Sequence, residues 1–159
     1  MIDSIYIHIP FCKKKCYYCD FLSFAKKEKD ISGYVDYLIK EINLYDNNIY
    51  NTIYFGGGTP SLLSIKQIKR ILKNLKYKKR TEITLEVNPT TVNKKKLNRF
   101  LEIGINRLSI GFQSFNDKAL KKLGRIHTSK EAINIYKESR KVGVKNISLD
   151  LIFATPGQT

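Results

Sequence analysis

"TIYFGGGTPSLLSIKQIKRILKNL", Thr52–Leu75, changes its hydrophobic period part-way along. Its opening residues, Thr52–Phe55, are β-branched or aromatic, the types that suit an extended chain. Gly56–Pro60 then interrupts the run as a turn does. From Ser64 to Leu75 the apolar residues Ile65, Ile68, Ile71, Leu72 and Leu75 return at helical spacing, with cations on the opposite side. Strand, glycine turn and amphipathic helix make half of a βαβ unit.

The unit repeats along the chain. Period-two, β-rich runs predict strands at Ser4–Ile9, Thr52–Phe55, Glu82–Val87, Arg107–Phe112 and Asn146–Ile152. Between them the 3.6-residue period predicts helices at Ile31–Tyr45, Ser64–Leu75, Asn93–Ile103 and Thr128–Val142. Thr128 and Glu131 have the spacing of a capping box, while Gly104 and Gly143 follow their helices as stops. Such alternation demands right-handed crossovers and a parallel sheet. The expected fold is α/β, a partial parallel (β/α) barrel of about five βα units, with residues 1–159 forming one domain.

Chemically unusual residues gather at one end of those units. Cysteines follow the first strand and Gly56–Pro60 the second; Glu86, Asn88 and Pro89 end the third. Gln113 and Ser114 end the fourth, and Asp150 lies in the fifth, ahead of Pro156 and Gly157. The carboxyl ends of parallel strands are where such sheets bind ligands.

Bulk composition narrows the class. At 159 residues and 42% hydrophobic, the chain is long and apolar enough for a real core, which argues against disorder. No stretch has the length and apolarity of a transmembrane span, and the start, MIDSIYIHI, lacks the features of a signal peptide. An odd cysteine count fits a reducing compartment, so the cytoplasm is expected. The net charge of +15 arises from 29 Lys and Arg against 14 Asp and Glu. These cations are scattered over helix faces beside abundant Asn, Ile and Tyr, a solvated surface rather than a nucleic-acid site.

All three cysteines fall within "IPFCKKKCYYCDF", Ile9–Phe21. A nucleophilic cysteine needs one thiolate and a base, and gives no reason for a trio. A structural zinc site normally closes with four ligands, for which His8 or Asp20 could be the fourth. A cubane iron–sulfur cluster is the third possibility: Cys12, Cys16 and Cys19 would hold three irons and leave the fourth open.

Here the sequence resembles the radical S-adenosylmethionine (SAM) superfamily. More narrowly, "YIHIPFCKKKCYYCDF", "FGGGTPSLL", "EVNP", "RLSIGFQSF", "LGRIHT" and "DLIFATPGQT" resemble, in matching order from Tyr6 to Thr159, the HemW-type haem chaperones and the related oxygen-independent coproporphyrinogen III oxidases. The resemblance implies a [4Fe–4S] cluster on Cys12, Cys16 and Cys19, with its open iron chelating SAM. It implies that Tyr6 and Tyr18 help to seat SAM, that Gly57, Gly58 and Thr59 present backbone to its methionine part, and that Glu86 accepts its hydrogen bonds. Gln113, Arg125 and Asp150 match further cofactor-site positions of the oxidase. Implied partners are haem or porphyrin, an electron donor such as flavodoxin or ferredoxin, and haem-accepting proteins. The family is longer than this chain, so a carboxy-terminal part is expected beyond it.

Blander readings stand beside these. Gly56–Gly58 alone is an ordinary strand-to-helix turn, Glu86 a capping or surface acid, and Arg125, near Lys121 and Lys122, a surface cation. His8 reads as packed or hydrogen-bonded and His127 as part of a turn, whereas Asp150 in an apolar strand reads as a buried acid that needs a partner. Between chaperone and oxidase, Phe21 is the informative position, because the oxidase pattern carries an additional cysteine there. That departure favours haem binding and transfer over porphyrinogen oxidation.

Overall fold

The computed structural model of the chain describes residues 2–45, 48–155 and 157; Pro156, singled out above, lies outside them. Its elements in chain order are β1 (Ser4–Ile9), β2 (Phe11–Cys12), β3 (Phe24–Ala25), α1 (Ile31–Tyr45), β4 (Ile49–Gly57), α2 (Ile65–Lys73), β5 (Lys76–Val87), α3 (Lys94–Glu102), β6 (Arg107–Gln113), α4 (Asp117–Lys122), α5 (Ser129–Lys141) and β7 (Asn146–Leu151). The long strands form one sheet in the order β1-β4-β5-β6-β7, with every neighbouring pair parallel. The parallel α/β architecture expected from the alternation is present.

Strand periodicity divides the sheet into two unlike faces. Ile7, Ile9, Ile53, Phe55, Ile83, Leu85, Val87, Leu108, Ile110 and Phe112 are buried in the core shared with helix residues such as Val35, Ile68, Ile71, Leu97, Phe100 and Ile135. Each such side chain contributes about 1.5–3 kcal/mol by leaving water. The alternate residues, Tyr54, Glu86, Arg107, Ser109, Ser148 and Asp150, bond to one another across the opposite face. A one-residue slip would exchange the faces, so burial fixes the register.

Local signals set the helix boundaries. Ser64 and Thr128 each form a capping box, with Gln67 and Glu131, and Asn93 caps α3 by accepting from the Lys96 N–H. Four departures from the sequence expectation have physical causes. Strand β4 starts at Ile49 and β5 at Lys76, because Tyr50 and Tyr77 pair beyond a register shift and extend the ladder. Consequently α2 stops at Lys73, and Lys76–Arg80 are strand residues with exposed side chains. The short helix α4 was absent from the periodic reading, since six residues barely sample the helical repeat. Asp150 is exposed rather than buried, because among the described residues β7 has a neighbour only on its β6 side.

Candidate functional site

The cysteine loop is clipped to the scaffold at several points. Strands β2 and β3 pair at its base, with the Phe24 N–H donating to the Pro10 carbonyl at 2.7 Å and the Lys26 N–H to the Cys12 carbonyl at 3.1 Å. Its middle hangs on the turn after α4, where the Tyr17 N–H donates to the Leu123 carbonyl at 3.1 Å. A glycine allows that approach: a Cβ on Gly124 would lie 3.1 Å from the Tyr17 ring. A ring nitrogen of His8 holds the Leu22 carbonyl at 2.9 Å. Cys12 is buried, whereas Cys16 and Cys19 are partly open to the rim.

Beside the loop runs the glycine turn. The Gly58 N–H donates to the Ile9 carbonyl at 2.9 Å, joining the turn to β1. The Thr59 hydroxyl donates to Cys12 Sγ at 3.4 Å. Glu86, at the end of β5, reaches back to the same turn: its Oε2 accepts from the Gly57 N–H at 3.1 Å and its Oε1 from the Tyr54 hydroxyl at 2.9 Å. Burial raises the Glu86 pKa above its ordinary value, and these two donors oppose that rise. Burial likewise raises the Tyr54 pKa, with the Glu86 charge second.

The far wall comes from β6, β7 and the turn after α4. Arg125 Nη2 donates to the Gly111 carbonyl at 2.9 Å, while Nη1 lies 3.6 Å from Cys16 Sγ and 3.5 Å from the Tyr18 hydroxyl. Burial pushes the Tyr18 pKa up to about 12 although Arg125 opposes it. Gln113 has a φ of 66°, a left-handed conformation rare for a residue with a side chain. The Ser109 hydroxyl lies 2.9 Å from both Asp150 oxygens and donates to the carboxylate.

Together these walls enclose a cavity of about 430 Å³ at the carboxyl ends of the strands. Cys12, Cys16, Cys19, Tyr18, Gly57, Gly58, Thr59, Glu86, Gln113, Arg125 and Asp150 all line it. Tyr6 does not; its ring stacks on Tyr54 with centroids 5.7 Å apart and covers Gly56, where a Cβ would meet it at 2.7 Å. Sequence reasoning missed Tyr54, Ser109 and Gly111, which also line the cavity. Alternation puts each on the sheet face away from the apolar core, but no short-range pattern marks them as site residues.

The donor set suits a cluster and SAM. A closed zinc site would need His8 or Asp20 as its fourth ligand, and one ring nitrogen of His8 is already held by the Leu22 carbonyl. Thr59 and Arg125 place donors beside Cys12 and Cys16 Sγ, the kind of partner that orients a metal ligand. Two buried polar atoms lack partners among the described residues, Ser23 Oγ and Arg125 Nε, and both residues line the cavity. A carboxylate, Glu86, and a guanidinium, Arg125, share that cavity, as a ligand bearing both ammonium and carboxylate requires.

Comparison with known proteins agrees with this geometry. The haem chaperone HemW of Buchnera aphidicola subsp. Acyrthosiphon pisum is 44% identical over 98% of this chain and 44% of its own length. HemW of Lactococcus lactis subsp. lactis is 40% identical over 99% of this chain and 42% of its own. The chain thus spans less than half the length of these relatives. The structure of the Escherichia coli coproporphyrinogen III oxidase HemN, a radical SAM enzyme, superposes with a TM-score of 0.89 at 30% identity, over 99% of this chain and 38% of that one. The sequence profile of the radical SAM superfamily matches residues 6–159. A parallel sheet, a thiol trio after its first strand and this match from Tyr6 onward agree, and the chain belongs to the radical SAM superfamily.

Proposed function

We propose that this chain is the cofactor-binding part of a haem-handling protein, holding a [4Fe–4S] cluster through Cys12, Cys16 and Cys19 and SAM in the adjoining cavity. The convergence of the three thiols, Glu86 and Arg125 on one cavity carries this reading. When bound, the cluster and SAM supply reductive cleavage of a sulfonium. The chain's residues bind and orient. Gly57 and Gly58 let the turn pack against His8 and the Ile9–Phe11 backbone beside the cavity, Glu86 accepts from the ligand's ammonium, and Arg125 faces its carboxylate. Tyr18 and Gln113 shape the cavity wall, and Asp150, held by Ser109, offers a second acceptor. Tyr6 acts through Tyr54, buttressing the ring that anchors Glu86.

Haem transfer is preferred to porphyrin oxidation because Phe21, 65% exposed at the cavity, stands where the oxidase pattern has a cysteine. The partners on this reading are haem, a one-electron donor and a haem-accepting protein, in the cytoplasm. Among the described residues no helix is long and apolar enough to cross a membrane. The structural likeness to HemN favours a second reading, oxidation of coproporphyrinogen III. Anaerobic reconstitution separates the two. Haem should bind and pass to an acceptor without formation of protoporphyrinogen; robust protoporphyrinogen formation overturns the chaperone reading.

Two consequences follow from the hydrogen bonds. Glu86→Gln should weaken SAM binding at neutral pH by about tenfold or more, since a charged acceptor contributes about 1.5–3 kcal/mol. Without ligand the same change should stabilise the chain. The folded pKa of Glu86 lies above the ordinary 4.5, so the folded state binds protons more tightly and stability falls as pH rises through that window. Denaturant melts at neutral and mildly acid pH check this: the stability gain should vanish as pH falls to 4.5. Thr59→Val should leave cluster content intact but move its midpoint potential to a more negative value. The lost donor to Cys12 no longer stabilises the extra electron's charge. A redox titration followed by electron paramagnetic resonance reads this directly.

A further inference from the structure

We infer that His127 is a positioning residue that locks the Arg125 guanidinium toward the ligand cavity by presenting an unprotonated Nδ1 to it. The inference rests on the reading that Arg125 faces the carboxylate of SAM.

His127 is 3% exposed, in the turn between α4 and α5. Its Nε2 lies 3.1 Å from the Phe112 carbonyl. A carbonyl oxygen only accepts, so Nε2 carries the proton. Burial, followed by the neighbouring Arg125 charge, holds the ring's pKa below its ordinary value, consistent with a neutral imidazole. In that tautomer Nδ1 is a lone pair, and Arg125 Nη2 lies 3.4 Å from it.

Arg125 Nη2 therefore has two acceptors on one side, Gly111 O at 2.9 Å and His127 Nδ1. Its Nη1 points the other way, toward Cys16 Sγ and the Tyr18 hydroxyl. A planar fork fixed at both ends has no freedom to rotate about its stem. Its remaining N–H, at Nε, is buried without a partner among the described residues, in a side chain that lines the cavity. If the turn were merely structural, the bond to Phe112 would satisfy His127. The aim of its second nitrogen at a cavity-lining guanidinium is what that account leaves unexplained.

The two ring nitrogens can be tested separately. His127→Gln keeps an amide donor near the Nε2 position for Phe112 and removes the Nδ1 acceptor; His127→Asn keeps an acceptor near Nδ1 and gives up the bond to Phe112. SAM affinity is measured by oxygen-free titration of protein with matched iron content. We expect His127→Gln to bind SAM about tenfold more weakly, the effect of about one charge-assisted hydrogen bond. His127→Asn should stay within about threefold of the unaltered protein. On an Arg125→Ala background, His127→Gln should cause no further loss, because the two residues act as one unit. Additive losses, or a His127→Gln protein that binds normally while Arg125→Ala does not, overturn the inference and leave the reading of the site intact. An Arg125→Ala protein that binds SAM normally overturns both. Should His127→Gln fail to hold its cluster, His127→Asn decides alone, a tenfold loss of affinity being the overturning result.

Discussion

Cys16→Ala protein, isolated and reconstituted without oxygen, is expected to lose its iron–sulfur chromophore and all SAM-dependent change in the reduced cluster's resonance. The expectation follows from number. Only three cysteines exist in the chain, all between β1 and α1, so none can substitute. Loss of a mere outer-shell partner often costs a metal site 10–100-fold in affinity, and loss of a ligand from a set of three should exceed about that. The loop itself should survive. Its anchors are the β2–β3 pair, the Tyr17 bond to Leu123 and the His8 bond to Leu22, none of which involves the Cys16 side chain. The expected phenotype is therefore a folded, colourless protein with a nearly unchanged thermal midpoint. Retention of a full complement of iron and sulfide by Cys16→Ala would refute the thiol trio as the cluster's cradle.

Gly58→Ala should be strongly destabilising although it exchanges only one hydrogen for a methyl. The new Cβ would lie 2.8 Å from the Phe11 carbonyl oxygen, 2.9 Å from the Phe11 nitrogen and 3.0 Å from the Ile9 carbonyl oxygen. All three are backbone atoms of the segment leading into the cysteine loop, so no rotamer change can relieve the contact. Overpacking of this kind costs about 1–3 kcal/mol, and in a chain of this size that lowers the melting midpoint by roughly 2–10 °C. The Gly58 N–H bond to Ile9 would stretch and the backbone leading into Cys12 would be pushed out of place, so cluster content should fall as well. Gly33→Ala provides the control. Gly33 lies inside α1, where an added Cβ meets nothing within 4 Å. There alanine should stabilise by about 0.5–1 kcal/mol, through helix propensity and a less flexible unfolded chain. Thermal melts of the two variants should move in opposite directions; a neutral Gly58→Ala would mean that the turn and the cysteine loop are not in contact.

Most of the architecture was legible in the sequence because each element carries its own signal. The "SIYIHI" run reads as a strand from alternation alone, and Thr128 with Glu131 marks the start of α5 through a bond between residues three apart. Signals of that kind are local, and local patterns survive translation into one dimension. The thiol trio was legible for the same reason: its members are neighbours along the chain.

What failed to read involved partners distant in sequence. Asp150 looked buried because its strand neighbours are apolar, yet burial depends on what lies on the far side of β7. Tyr6 matched a site motif, but whether its ring reaches the cavity depends on Tyr54 and the bare Gly56 beside it. Tyr54 and Ser109 went unnoticed since their importance lies in whom they touch, Glu86 and Asp150, across strand pairings.

By itself, then, the order of residues determined a parallel α/β scaffold, the rim on which the chemistry gathers and the sulfur ligands on offer, since each depends on spacing along the chain. Only the tertiary structure decided that Arg125, Glu86 and the cysteines face a common cavity and that His127 stands behind Arg125. Strand pairing and the packing of the turn after α4 bring those side chains together from positions up to 109 residues apart, and no short-range pattern records that distance.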